Sequence, residues 1–137
     1  MAGPQQADYF FVPLLDGTHG VGQIITDGPD VLIGLSMRRG TPGQEIHPMA
    51  ANEYVALLHV ETAPFIEGSW ILGGFDQLPR LDAATQDHIA ATADQIYEPA
   101  MVEGFLNACH NLYPWDSFGD LFDQMLRPGV DRTEWTS

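Results

Sequence analysis

The sequence predicts an α+β fold: a small curled antiparallel sheet, or an SH3-like barrel, of about five strands over residues 8–75, followed by two or three helices packed on it. Two observations carry this. Short runs of β-branched and aromatic residues, separated by Gly, Pro and Asp turn chemistry, fill the first half. Apolar residues recurring at three and four positions, set off by capping residues and prolines, fill the second. At 137 residues the expectation is one domain, with a β-rich half at 8–75, a helical half at 80–127, and loose ends at 1–7 and 130–137.

Taken in order, Tyr9 to Leu15 suits a pleated, half-buried strand, and Asp16-Gly17 is a reversal in which Gly accepts positive φ. Pro13 cannot donate to a ladder, so this strand lies at an edge or is interrupted there. Gly20 and Gly22 mark a bulge or a close backbone approach in the next strand. Asp27-Gly28-Pro29-Asp30 separates two apolar runs and reads as a second hairpin. Arg38 to Gly43 is a loop whose paired arginines serve either solubility or the holding of an acid from the second half. His47, ahead of Pro48, is disfavoured in helix. Tyr54 to Val60 is a strand in which His59 reads as a hydrogen-bonded residue rather than a ligand, for want of partners at metal spacing. Pro64 and Glu67-Gly68 make a turn, and Ser69 to Phe75 a fifth strand weakened or bulged at Gly73-Gly74.

Leu78-Pro79 ends the β pattern. Asp82 is placed to cap a helix ahead of Ala83. Pro99 suits the first turn of another, with Val102, Phe105, Leu106, Cys109 and Leu112 as its stripe, Glu98 and Glu103 near its positive end, and Tyr113-Pro114 as its stop. Asp116 or Ser117 would cap a last helix to Leu126 carrying Phe118, Leu121, Phe122 and Met125, closed by Pro128-Gly129. Trp135 would anchor the tail.

The charge is the extreme feature: 19 acids face five arginines, without lysine, for a formal net charge of −14. From Asp82 to Asp123, both included, there are eight acids and neither lysine nor arginine. Such a field repels nucleic acid and anionic membrane and steers a basic partner, or serves as a solvated surface. Apolar runs are far shorter than the ~20 residues of a membrane span, and no secretory signal opens the chain, so a cytoplasmic location is expected. The lone Cys109 excludes an internal disulfide and reads as a buried small hydrophobe rather than a nucleophile.

No catalytic constellation assembles from the sequence. Gly17, Gly20 and Gly22 lie between strands and open no helix, which fails the dinucleotide-binding mechanism. The histidines at 19, 47, 59, 88 and 110 are scattered, Asp87 and His88 are merely adjacent, and Ser36, Ser69 and Ser117 lack a nucleophile-elbow context. No cofactor or metal is expected. The candidate partner-binding residues are Asp16 and His19 at a loop tip, and Asp94, Tyr97, Glu98, Glu103, Tyr113, Trp115, Asp116, Asp120 and Asp123 in the helical half, where aromatic anchors stand among acids. Asp16 also has an ordinary role in turn chemistry, and Trp115 one in packing.

The segment Tyr9 to Leu15, the Asp16-Gly17 turn and Gly20-Val21-Gly22-Gln23-Ile24 resemble the opening of the bacterial immunity protein 26 family. Gly68-Ser69-Trp70-Ile71-Leu72-Gly73 is similar to that family's Trp-containing strand. The match covers the first 75 residues or so, and the helical half does not share it. The resemblance implies a cytoplasmic, non-enzymatic protein that binds and blocks a toxin effector domain, often a nuclease with a basic cleft; it carries over no site residue. Two alternatives stay open: a small enzyme or ligand-binding domain with a pocket between sheet and helices using His19, His59 or His110, and a regulatory or structural subunit dimerising through the sheet edge left by Pro13. The chain is expected to be a monomer or a homodimer.

Overall fold

The computed structural model describes residues 4–46 and 48–130; His47, residues 131–137 and with them Trp135 lie outside. Six strands form one open mixed sheet: β1 (Asp8–Pro13), β2 (His19–Thr26), β3 (Asp30–Gly40), β4 (Tyr54–Glu61), β5 (Ile71–Phe75) and β6 (Ile96–Tyr97), in the order β5-β1-β2-β3-β4-β6. Among the described residues four α-helices accompany it: α1 (Ala63–Glu67), α2 (Ala83–Ala91), α3 (Pro99–Cys109) and α4 (Leu121–Met125). The architecture is therefore α+β, and the open sheet, not the barrel, is the form taken. The first four strands are an antiparallel meander. β6, inside the helical half, joins β4 in parallel.

Pro13 interrupts its strand rather than placing it at an edge. It is the last residue of β1, and β5 pairs with β1 only from Asp8 to Phe11, so the missing N–H costs that ladder nothing. The β1 edge on which a dimer could form is occupied by β5, because β1 is paired on both sides. The expected glycine devices are present. The β2–β3 register shifts between Gly20 and Gly22, and a Cβ at Gly22 would stand 2.8 Å from the Gly34 carbonyl oxygen and collide with the Phe10 ring.

Both faces of the sheet are covered. Phe10, Val12, Leu14, Ile24, Ile33 and Leu35 point to a core closed by Phe65, Trp70, α3 and α4. Tyr9, Phe11, Val21, Ile25 and Leu57 point to a second core closed by Met49, with Ile46, Leu78, Leu81 and Ile89 of α2 packed on it. This is why β1 reads as an apolar run instead of an alternation.

Asp82 caps α2 as its position predicts, accepting from the Thr85 N–H at 2.8 Å, and Pro99 opens α3. α3 stops at Cys109, four residues short of Tyr113. Asn111 takes the left-handed conformation at φ 62°, and the Leu112 N–H returns to the Asn107 carbonyl at 2.9 Å, which closes the helix before proline is reached. Cys109 is buried. α4 starts at Leu121, with Asp120 as its cap residue, since residues 114–120 form turns that end on Gly119 at φ 67°. The turn expected near Pro64 is the short helix α1, ended by Gly68 at φ 84°.

Candidate functional site

The site is built outward from Trp70. Its indole is fully buried, stacked on Phe10 at 5.7 Å and 14° and met edge-on by Phe65 at 5.3 Å. The indole N–H must find an acceptor, and it donates to Glu103 Oε2 at 3.0 Å. One turn along α3, buried Asn107 uses both ends of its amide: Oδ1 accepts from the Leu15 N–H at 2.7 Å and Nδ2 donates to the Glu103 carbonyl at 2.8 Å. The β1–β2 loop is thereby fastened to α3, with Leu14 turned into the core and Leu15 left 68% exposed. Opposite, Tyr113 stacks on Phe118 at 6.4 Å and 25°, and Phe118 is 47% exposed.

Between these walls runs a groove of about 310 Å³, lined by Leu15, Met101, Gly104, Asn107, Tyr113 and Phe118 together with exposed Glu98 and half-buried Glu103. Most of its lining is apolar. Glu98 stands at the N-terminus of α3, where an anion meets the positive end of the helix. Chemically, the groove can seat an apolar side chain and pair flanking cations with carboxylates.

Of the residues singled out from sequence, the groove gathers Glu98, Glu103 and Tyr113. Trp115 instead packs on Phe105 at 5.8 Å and Phe122 at 5.6 Å, and its N–H donates to Asp123 Oδ1 at 2.9 Å, so that pair closes the core beside the groove. Asp116 and Asp120 are exposed on the 114–120 turns that carry Phe118. Asp94 is exposed after α2, and Tyr97 is half-buried on β6 against the same core, its hydroxyl pKa raised by burial. Asp16 is turn chemistry: hydrogen bonds from Thr18 and Arg39 hold its carboxyl well below the usual range. His19 meets Phe11 edge-on at 6.5 Å and, with Arg39 and Thr41, lines a separate cavity at the hairpin tip. Sequence reasoning missed Leu15, Met101, Asn107 and Phe118 as parts of one surface. The available signal was Leu14-Leu15 ahead of the turn, where one of two adjacent leucines must face out.

The paired arginines do not reach the second half. They lie on β3, not in a loop. Arg38 grips Glu53 with two bonds, Nε at 2.6 Å and Nη2 at 2.7 Å, and Arg39 pairs with Asp16 at 2.6 Å. The end of β3 runs beside β2 and the 3-10 turn before β4, so acids of the first half are nearest. His59 is not hydrogen-bonded through Nδ1, which is buried without a partner among the described residues; the same is true of His110 Nε2. Burial, with a smaller push from Arg39, lowers the His110 pKa. The cavity at the hairpin tip holds His19 alone of the three candidate histidines, and a small cleft beside β4 holds His59 with His88. Among the described residues no group of three metal-ligating side chains converges, and no helix is long and apolar enough to cross a membrane.

Fold and site together define an α+β domain with a mainly apolar, carboxylate-bearing groove on its helical face. Comparison with protein-family models, curated proteins and solved structures finds no match to this chain.

Proposed function

We propose that this chain is a non-enzymatic, acidic protein-binding module that receives a basic protein partner in the α3 groove, in the manner of an immunity protein neutralising a toxin effector domain. The observation that carries the reading is the groove: exposed Leu15 and Phe118 share a mainly apolar lining with the carboxylates Glu98 and Glu103. An aromatic or aliphatic anchor surrounded by cations is the complementary surface. Glu103 is already fixed by Trp70, so less side-chain entropy is lost on pairing. The net charge of −14 adds long-range steering of a basic partner and disfavours nucleic acid and anionic membrane. The resemblance of residues 9–24 and 68–73 to the immunity protein 26 family points the same way.

The experiment is calorimetric titration against the product of any toxin-like reading frame that neighbours this chain's gene. A complex is expected, and Phe118→Ala should weaken it about tenfold or more, as truncation of an interface anchor does. Glu98→Gln should act chiefly on the association rate and its salt dependence. Absence of a complex, or full affinity in a Leu15→Ala, Phe118→Ala double variant, refutes the reading.

A further inference from the structure

We propose a second binding site, for a small ligand bearing a phosphate or carboxylate group, held between Arg80 and Arg127 in the cavity that joins the start of α2 to the segment after α4. The cavity measures about 300 Å³, and its lining includes Asn52, Arg80, Asp82, Thr85 and Arg127. That is at the lower end of small-ligand sites.

The argument starts from scarcity. Five arginines serve a chain of 19 acids, so an arginine without a carboxylate is the exception to explain. Arg38 and Arg39 are consumed by Glu53 and Asp16. Arg80 and Arg127 form no ion pair among the described residues, yet both line one cavity. Arg127 is also held in place. Its backbone N–H donates to the Val55 carbonyl and its Nη1 to the Ala51 carbonyl, each at 2.8 Å. Its Nε is buried and finds no acceptor among the described residues. That nitrogen is closed to solvent, so a ligand in the cavity would meet the remainder of the planar guanidinium, a shape and charge that suit an oxyanion. The Ala84 N–H in the first turn of α2 has no partner within the helix and lies in the same lining. Asp82 lies in the same lining; its carboxylate accepts from the Thr85 N–H and also feels the Arg127 charge without forming an ion pair with it, so it opposes an incoming anion.

The site is separate from the α3 groove, so each can fail alone. The test is ¹⁵N NMR titration of the full chain with inorganic phosphate and, separately, acetate, against sodium chloride at equal ionic strength. Saturable shifts at the Ala84, Thr85 and Arg127 amides are expected. Saturation by phosphate alone assigns a phosphate group; saturation by both assigns an oxyanion of either kind. Arg80→Gln, an exposed residue whose loss leaves the core intact, should weaken binding about tenfold. Asp82→Asn keeps a good cap and removes the opposing charge, so it should tighten binding several-fold. Shifts no different from those in chloride, or an Arg80→Gln affinity equal to that of the parent, overturn the proposal.

Discussion

Gly22→Ala tests the packing that fixes the whole sheet. The new methyl would lie 2.8 Å from both the Gly34 carbonyl oxygen and Phe10 Cε1, and closer still to Cζ. Neither neighbour can give way. Gly34 is backbone in the middle of β3, and Phe10 is fully buried, packed against Phe65 at 5.1 Å and stacked on Trp70. Overpacking of this kind costs about 1–3 kcal/mol, and the rigidity of two neighbours places the expected value at about 2–3. Alanine's smaller unfolded-state entropy returns only ~0.4–1 kcal/mol of this. For 137 residues, an unfolding entropy near 2.1 cal/mol/K per residue makes each kcal/mol about 3.5 °C, so Tm should fall by roughly 4–9 °C. Thermal melts by circular dichroism read this directly. Adding Phe10→Leu removes the ring atoms in conflict but not the Gly34 oxygen, so the double variant should lose less than the sum of the two single losses. A Gly22→Ala protein melting within about 2 °C of the parent, or strict additivity in the double variant, refutes the argument.

Asn107→Ala should lower Tm by only a few degrees, because lost hydrogen bonds of about 1 kcal/mol each are partly offset by better helix propensity; it should weaken partner binding more than that, since Leu15 loses its tether, and calorimetry showing unchanged affinity would sink the tether argument. Acid should destabilise the protein in two stages. The folded pKa of His110 lies below its ordinary 6.5 because burial disfavours the charged ring, so the stability it allows is complete above 6.5 and falls as pH drops toward the folded value. The Glu53 carboxyl lies below its ordinary 4.5, chiefly through the hydrogen bond from Arg38, so a further loss begins below 4.5. Melting temperature measured across this range should show both, and His110→Gln should flatten the first; superimposable profiles for parent and variant would remove His110 from the account.

Much of the fold was legible because its causes are local. The Asp16-Gly17 and Asp27 to Asp30 reversals, the Asp82 cap, Pro99 at the head of α3 and the stripe Val102, Phe105, Leu106, Cys109 each depend on neighbours within a few residues. Boundaries were less legible where backbone geometry overrode composition, as at Asn111, whose left-handed conformation ends α3 before Pro114 can. The destination of β5 was not legible at all, since five residues with two glycines do not say which strand they will join. The site was half legible. Glu98, Glu103 and Tyr113 lie in the acid-rich segment that charge and aromatic content single out, whereas Trp115 and Asp123 are drawn into packing by a hydrogen bond that no spacing rule foretells.

The sequence alone determined the α+β class, the sign of the surface field, the first two reversals and the Asp82 cap, because periodicity, charge and backbone preference are properties of short stretches. The groove was decided by tertiary structure. Leu15 and Asn107 are 92 residues apart and meet at 2.7 Å, and Trp70 reaches Glu103 across 33 residues. Those contacts arise from the buried core of β1, Trp70 and α3, and the order in which strands and helices pack to bury it is a property of the whole chain.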